Sequence, residues 1–463
     1  MQDIVIDEDK YDFSIPENDY IRVNDGLTED IIRAISERKN EPEWMLEHRL
    51  MCLKTYHNMS MASNWGPSLK GLDIDNIATY VTPKKNHAKS WDDVPEDVKD
   101  IFERLGIPEA ERSFLAGVGA QLDSEMIYHN VQDSATNNGV VYMGIEEALH
   151  TEYEPIIKDH FMKLVPPNDH MFAALHGACW SGGSFIYVPR GVKVDKALQN
   201  YYRVNARGAG QFEHTIIILE DDSSLHFIEG CSAPHYNEAN LHAGCVEVYV
   251  GKRSHLRFTV VENWSKNMYN LSTKRIRVDE DGSAEAITGA FGSHVAYVYP
   301  SAMLVGDRSH YEYTGISFAG ANQDLDTGCK VVLAGKNTSA NIEAKSISKD
   351  GGVGTFRSSV TVGKHADFAK VGVNCASLIL DDDSVSDTIP AMDVRCDTAS
   401  VGHEATIGRI SDEALEYLES RGLSEAEARA LIVGGFANPI SKQLPLEYAN
   451  EMNRLIALEM EGA

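Results

Sequence analysis

The chain has 463 residues, of which 43% are hydrophobic and 24% are charged, so it is neither disordered throughout nor a membrane bundle. Asp and Glu outnumber Lys and Arg by 70 to 42, and a net charge of -28 argues against sequence-independent binding to nucleic acid. No apolar stretch has membrane-spanning length and no secretory signal opens the sequence, so we expect a cytoplasmic protein without a membrane partner.

The first zone, residues 1–165, carries mainly helix signals. Thr28 is placed to cap a first helix, and Pro42 opens a second. Further helices are expected over residues 95–106 and from Pro108 onward. We therefore predict a mainly helical N-terminal region.

The middle zone, residues 166–410, consists of short runs that alternate between apolar and polar residues. Similar polar turns separate these runs at intervals of 25–30 residues, counted between the small residues at 224, 254, 284, 309, 339 and 366. Such a repeat predicts a β-solenoid, in which each coil buries its inner face against its neighbours. A β-sandwich is the alternative that this pattern leaves open.

The last zone, residues 411–463, is helical again. Ser424 and Glu427 form a capping box, and Gly434-Gly435 is expected to end that helix. Pro445 starts another helix with one apolar face, made by Tyr448, Met452, Leu455 and Ile456.

Polar residues fall on the inner face of the predicted solenoid. Cys231, Glu262 and Lys274 each alternate in phase with apolar neighbours on their own strands. Buried charges need partners, so one interpretation is that these strands end or bulge and the charges reach solvent. The other is a polar interior passage in which a nearby ammonium favours the thiolate of Cys231.

The other cysteines are scattered, and the total of seven shows no CxxC or finger spacing, which indicates reduced thiols rather than disulfides or a zinc module. Cys375 alternates in phase with Val373, so a small core residue is the plain interpretation. His403 and Glu404 are adjacent on one strand and therefore lie on opposite faces. They are candidate ligands, although structural histidines are commoner than ligands.

Nucleotide-binding motifs are incomplete. Gly335-Lys-Asn-Thr lacks both the earlier glycine and the hydroxyl residue that follows the lysine of a phosphate loop. We therefore expect no ATP hydrolysis by this chain.

Ten further segments are informative when taken together. They are Glu43-Trp-Met-Leu46, Ser90-Trp-Asp-Asp-Val-Pro95, Ala116-Gly-Val-Gly-Ala-Gln121, Gly183-Ser-Phe-Ile-Tyr-Val-Pro189, Gly210-Gln-Phe-Glu213, Glu229-Gly-Cys-Ser-Ala-Pro234, Tyr269-Asn-Leu-Ser-Thr-Lys-Arg275, Ser346-Ile-Ser-Lys-Asp-Gly351, Ser386-Asp-Thr388 and Gly402-His-Glu-Ala-Thr406. In this order they resemble the SufB/SufD family of the Suf iron–sulfur cluster assembly system. The tryptophan-rich N-terminal segment and the Glu-Gly-Cys run are closer to SufB.

The resemblance implies a right-handed parallel β-helix between helical terminal regions. It implies a scaffold rather than an enzyme, one that accepts persulfide sulfur from a cysteine desulfurase and its sulfur shuttle and passes clusters to apo iron–sulfur proteins. It also implies pairing with SufD or a second SufB copy, and docking of the ATPase SufC on residues 411–463. FAD is a further cofactor that the resemblance allows.

The resemblance also assigns residues. Cys231 matches the sulfur acceptor, and Cys375, His403 and Glu404 match the site of the nascent cluster. The positions that match the lining of a sulfur tunnel are Arg203, Asn205, Glu262, Trp264 and Lys274.

Such a ligand set suits a labile cluster, because thiolate binds iron tightly while nitrogen and oxygen ligands permit release.

Two other classes of function stay open. A polysaccharide lyase or hydrolase would need clustered carboxylates in an exposed groove, and a structural adaptor would carry inert cysteines.

Overall fold

The computed structural model describes residues 14, 20–23, 26–60, 65–83, 99, 115–442, 444 and 446–461. The helices are α1 (Glu29–Arg38), α2 (Glu43–Asn58), α3 (Asp133–Thr136), α4 (Ile145–Ala148), α5 (Glu154–His160), α6 (Met171–Cys179), α7 (Asp412–Glu419), α8 (Glu425–Ser441) and α9 (Leu446–Glu461). Within these ranges, no helix combines the length and apolar character needed to cross a bilayer.

The strands that precede the regular coils are β1 (Tyr20–Val23), β2 (Tyr80–Pro83), β3 (Leu115–Leu122), β4 (Glu125–Val131), β5 (Val141–Gly144) and β6 (Ser184–Val188). The coils are built by β7 (Ala197–Arg203), β8 (Gly210–Gln211), β9 (His214–Leu219), β10 (Ser224–Ser232), β11 (Asn240–His242), β12 (Cys245–Val250), β13 (His255–Asn263), β14 (Met268–Asn270), β15 (Thr273–Val278), β16 (Ser283–Phe291), β17 (Val295–Val298), β18 (Ser301–Leu304), β19 (His310–Ala319), β20 (Asp324–Leu333), β21 (Ser339–Ser348), β22 (Val353–Val362), β23 (Lys370–Ile379), β24 (Val385–Val394) and β25 (Ser400–Arg409).

These strands form a parallel β-solenoid, as predicted, and not a sandwich. One wall, called sheet I, has the strand order β4-β3-β7-β10-β13-β16-β19-β21-β23-β25. The other wall, sheet II, begins as two ladders, β6-β9-β12-β15-β18 and β8-β11-β14-β17, which β20 joins by pairing with both β17 and β18. The early coils therefore have three strands, and the later coils have two longer ones.

Stacked turns set the repeat. Successive coils align on Ser224, His255, Ser283, His310, Ser339, Lys370 and Ser400, at intervals of 27–31 residues. The small residues counted in the sequence differ from this alignment by no more than four positions, because the turns differ in length. The turns before the sheet I strands from β10 to β23 each hold one residue with φ of 53–63°, namely Asp222, Arg253, Asp281, Arg308, Asn337 and Phe368.

Helices cover both outer faces of the solenoid. Helices α2 and α6 pack on sheet II through a cluster that includes Leu53, Phe172 and Ile216. Helices α8 and α9 pack on sheet I, where Met452 is buried against its outer face. The inner face is filled by apolar side chains such as Phe227, which stacks on the Phe258 ring of the next coil.

The N-terminal zone contains more strand than the sequence suggests. Thr28 does cap α1, since its side chain accepts a hydrogen bond from the Ile31 N–H, and α2 begins directly after Pro42. However, β3 and β4 belong to sheet I, because the run of small and apolar residues in β3 is wholly buried. The helices predicted over residues 95–106 and from Pro108 lie outside the described residues, apart from residue 99.

The C-terminal zone differs at Gly434-Gly435, where the prediction was wrong. Helix α8 starts at the predicted capping box but continues through both glycines to Ser441. A helical glycine costs about 1 kcal/mol relative to alanine, and burial of the flanking apolar residues on sheet I outweighs that cost. These residues are Val433, Ala437 and Ile440. On α9, Met452, Leu455 and Ile456 are buried as predicted, whereas Pro445 and the side chain of Tyr448 lie outside the described residues.

Candidate functional site

Cys231 lies on β10 and points into the solenoid, as the alternation predicts. Its side chain is 2% exposed. It belongs to a small apolar cluster with Tyr202, Val204, Ala233, Trp264 and Met268. A thiol is thus enclosed near the N-terminal end of the interior.

Lys274 and two glutamates lie beside this thiol. Lys274 Nζ is 3.3 Å from Glu229 Oε2 and 3.5 Å from Glu262 Oε1, and all three side chains are buried. Strands β10 and β13 pair without a bulge, with Cys231 directly opposite Glu262. The interpretation in which these charges reach solvent at strand ends is therefore wrong, since the charges pair with one another inside the coil.

The polar interior continues beyond Lys274. Asn270 Nδ2 donates to Glu262 Oε2 at 2.8 Å, and Asn270 Oδ1 lies 2.8 Å from His242 Nδ1. His242 Nε2 is 2.6 Å from Glu213 Oε1. A buried chain of hydrogen bonds and ion pairs thus runs from Glu213 to Glu229.

Sequence reasoning missed four members of this network, namely Glu213, Glu229, His242 and Asn270. Alternation was the available signal for Glu229, because it lies two residues before Cys231 on the same face. Asn270 and His242 lie on three-residue strands, which are too short for alternation to show.

The electrostatics differ from the expected thiolate. Burial, together with the charge of Glu262, raises the pKa of Cys231 well above its usual value, and Lys274 only partly offsets this. Burial alone would lower the pKa of Lys274, but Glu229 and Glu262 outweigh burial and raise it. Burial also raises the pKa of Glu229 to about 6. The ammonium is shared between carboxylates, so Cys231 rests as a neutral thiol.

Several polar atoms in the network have no hydrogen-bond partner within the described part of the chain. They are Glu213 Oε2, Glu229 Oε1 and Trp264 Nε1. Buried polar atoms are rarely left unpaired, so this interior is suited to hold a small polar guest.

Arg203 and Asn205 fall on the opposite face of their segment from Tyr202 and Val204, which pack in the cluster around Cys231. Arg203 Nη1 donates to Ser232 Oγ at 2.9 Å. The Asn205 side chain donates to the Tyr20 hydroxyl at 3.2 Å. Glu262, Trp264 and Lys274 thus share the interior with Cys231, whereas the two N-terminal members of the predicted set face away from it.

A second group lies at the far end of the solenoid. Cys375 Sγ on β23 is 3.6 Å from His403 Nε2 on the terminal strand β25. Glu404 points to the other face of β25 and is exposed. Cys375 and His403 are therefore brought together from separate coils, and Glu404 is not brought to them within this chain.

Two columns of residues on the inner face of sheet I connect these groups. In the first, called the Cys375 column, successive partners are Glu229, Val260, Thr288, Gly315, Ala344 and Cys375. In the second, called the Cys231 column, they are Cys231, Glu262, Ala290, Ser317, Ser346 and Ser377. The members between the two ends are mostly small.

A narrow internal cavity follows from these small side chains. It begins one coil beyond Glu262, at Thr288 and Ala290, and ends at Cys375 and Ser377. At about 4.8 Å for each of the five strand spacings, β10 and β23 are about 24 Å apart. The cavity thus extends along sheet I from the coil beyond Glu262 to the thiol–imidazole pair at the open end.

This arrangement defines a class of protein: a β-solenoid with a buried cysteine near each end of its interior and with helical terminal regions. Comparison with protein families then identifies the family. Residues 202–436 match the model described as the SufBD core domain of SUF system FeS cluster assembly, and residues 97–200 match the SufBD N-terminal region. The chain belongs to the SufBD family of iron–sulfur cluster assembly proteins.

Similar proteins support this membership along the whole chain. An iron–sulfur cluster assembly SufBD family protein of Staphylococcus saprophyticus is 46% identical over 454 residues, which cover 98% of this chain and 97% of the relative. A SufBD family protein of Staphylococcus aureus is 47% identical over the same span. None of these descriptions mentions a flavin. The expectation of FAD therefore has no support beyond the sequence resemblance.

Proposed function

We propose that this chain is a SufB-type scaffold, in which Cys231 accepts sulfur and Cys375 with His403 holds the growing cluster. The observation that carries the proposal is the pair of columns of mostly small residues that run along the inner face of sheet I between the two thiols. A chain with a thiol at each end of such a passage can both receive sulfur and build with it.

Sulfur acceptance is a thiol exchange. The Cys231 thiolate attacks the terminal sulfur of a donor cysteine persulfide, the donor S–S bond breaks, and the donor leaves as its own thiolate. The proton of Cys231 passes to a buried carboxylate, for which Glu229 is suited by its pKa of about 6. Lys274 then offsets the charge of the new persulfide. Because Cys231 is buried, the donor reaches it only after local opening of the first coils.

Release of the sulfur needs two electrons. Two molecules of a thiol reductant become a disulfide, the S–S bond on Cys231 breaks, and the products are the Cys231 thiol and hydrosulfide. In this proposal hydrosulfide, a small anion, moves along the cavity past Thr288, Gly315 and Ala344. It meets iron at Cys375 and His403, where thiolate and imidazole are ligands that iron accepts.

The partner calls rest on the family resemblance and on the exposed end of the solenoid. Strands β24 and β25 present apolar side chains at Met392, Val394 and Ile407. This surface suits pairing with SufD or with a second SufB copy, and the partner would complete the ligand set that Glu404 alone does not. ATP hydrolysis belongs to SufC, and a cysteine desulfurase with its shuttle supplies the sulfur.

A blocked passage tests the proposal. Ala344 lines the cavity in the middle of the Cys375 column, so Ala344→Leu should obstruct it. With desulfurase, cysteine, iron and reductant, we expect persulfide on Cys231 as in the parent. Cluster absorbance should grow about tenfold more slowly or not at all, since the obstruction adds at least ~1.4 kcal/mol to the barrier for transfer.

Ala340→Leu is the matched control. Ala340 lies on the same strand, faces the same interior, is equally buried at 5% and is outside the cavity lining. Each substitution overpacks the core at a cost of about 1–3 kcal/mol, so both variants carry a similar fold penalty. Equal rates of cluster growth in the two variants would exclude the passage and leave an adaptor with inert cysteines as the better account.

A further inference from the structure

A second cluster of potential ligands lies outside the solenoid interior, between α6 and the outer face of sheet II. His176 projects from α6, His214 from the start of β9, and Cys245 from the start of β12. One ligand atom from each lies within 4.8 Å of the others, and all three side chains are buried. None of them belongs to the sulfur passage described above.

The strand register places these residues together. His214 and Cys245 are direct partners on neighbouring strands of sheet II. His176 then approaches from the covering helix, with its Nε2 2.9 Å from His214 Nδ1. Two ring nitrogens around a tetrahedral metal ion are about 3.3 Å apart, so a small separation of the rings would admit an ion.

Both imidazoles are held through their second nitrogen, as metal-binding histidines usually are. His176 Nδ1 donates to the carbonyl of Ala243 at 2.8 Å, which leaves the lone pair of Nε2 toward the cluster. His214 Nε2 is 3.2 Å from the carboxylate of Glu247, so a proton on that nitrogen frees Nδ1 as a ligand. A carbonyl and a carboxylate in this role orient the ring and fix its tautomer.

Glu247 is itself positioned by the backbone. Its two oxygens accept hydrogen bonds from the N–H groups of Met162, Leu164 and Val165, at 2.6, 2.6 and 2.9 Å. Because three backbone N–H groups hold this carboxylate in place, it is a rigid hydrogen-bond partner for His214. This is more support than a plain helix–sheet contact requires.

We propose that His176, His214 and Cys245 bind a tetrahedral divalent metal ion such as zinc. Two imidazoles and a thiolate match the ligand preference of zinc. Before binding, the proton of His214 lies on Nδ1, which donates to His176 Nε2. Binding moves this proton to Nε2, where Glu247 accepts the hydrogen bond, and releases the proton of the Cys245 thiol to solvent. A water molecule completes the tetrahedron. The ion fastens α6, and with it the N-terminal helices, to β9 and β12.

The test uses cobalt as a spectroscopic substitute for zinc in a Cys375→Ala chain, so that the open end of the solenoid contributes no thiolate. Because the site is fully buried, cobalt is supplied in the growth medium and enters during folding. We expect about one cobalt per chain, with a thiolate-to-cobalt charge-transfer band and the intense visible bands of a tetrahedral ion. Zinc in the medium should replace it in proportion.

The variants separate this site from any other. Adding Cys245→Ala should remove the charge-transfer band and the bound metal, whereas adding Cys329→Ala, a cysteine inside the solenoid that is equally buried, should leave both unchanged. A folded Cys375→Ala chain without cobalt, or a band that survives Cys245→Ala, would overturn the proposal. In either case His176, His214 and Glu247 would be a hydrogen-bonded contact only. The outcome is independent of sulfur transfer, because no step of it uses Cys231.

Discussion

Glu229→Gln should make the protein more stable at neutral pH, although it removes a residue of the interior network. Burial raises the pKa of Glu229 to about 6 from an ordinary value of 4.5. Folding therefore favours the protonated form. That contribution is fully present below the ordinary value and is lost as the pH rises through about 6.

The size of the effect follows from the shift. The rise of the Glu229 pKa from 4.5 to about 6 corresponds to about 2 kcal/mol. This is the free-energy cost of keeping Glu229 ionised in the folded protein above pH 6. Gln has the shape of the protonated acid and carries no such cost. The variant should therefore exceed the parent by about 2 kcal/mol at pH 7.5 and by about 1 kcal/mol near pH 5.

Urea unfolding of parent and variant across this pH range measures the difference. Glu285→Gln is the control for the substitution itself, since Glu285 is a partly exposed carboxylate 3.6 Å from Arg257. A Glu229→Gln variant that is less stable than the parent at pH 7.5 would refute the reasoning. It would mean that the ion pair with Lys274 contributes more than burial of the carboxylate costs.

Two further predictions concern the cluster end and the C-terminal helices. Cys375→Ala should abolish cluster assembly, whereas Cys396→Ala, which changes another buried cysteine of the last coils, should assemble cluster like the parent. Each substitution should change the free energy of unfolding by about 1 kcal/mol or less. Equal cluster assembly in the two variants would make Cys375 a packing residue. Tyr417 and Leu431 on the C-terminal helices are 58% and 53% exposed. The double variant Tyr417→Ala with Leu431→Ala should weaken SufC binding, measured by titration calorimetry, without changing the midpoint of urea unfolding. Unchanged affinity would mean that SufC docks on another surface.

The sequence predicts the solenoid because its strands alternate and its turns repeat. The same alternation places Cys231, Glu262 and Lys274 on the inner face, since a period of two leaves no other choice once the apolar face is buried. Alternation does not predict the protonation state of the Cys231 thiol. The pairing of Lys274 with Glu229 and Glu262 joins three different strands, and contacts between coils depend on a register that varying turn lengths conceal.

The proposed passage was equally hard to predict from the sequence. Thr288, Gly315 and Ala344 are unremarkable small residues in the sequence, and only the coil-to-coil register aligns them between Glu229 and Cys375. The sequence pattern also wrongly predicted that α8 ends at Gly434-Gly435, because burial on sheet I outweighs the low helix propensity of glycine. Where tertiary contacts decide, the sequence pattern alone is insufficient.

The central claim is that sulfur moves from Cys231 to the open end inside one chain. We would load Cys231 with isotopically labelled sulfur, remove all free donor, and add iron and a thiol reductant in a single turnover. Mass spectrometry then follows the label. Our account predicts that the label leaves Cys231 and appears as acid-labile sulfide in a cluster that requires Cys375, and that Ala344→Leu retains it on Cys231. A cluster that forms with unlabelled sulfide while the label stays on Cys231 would contradict it.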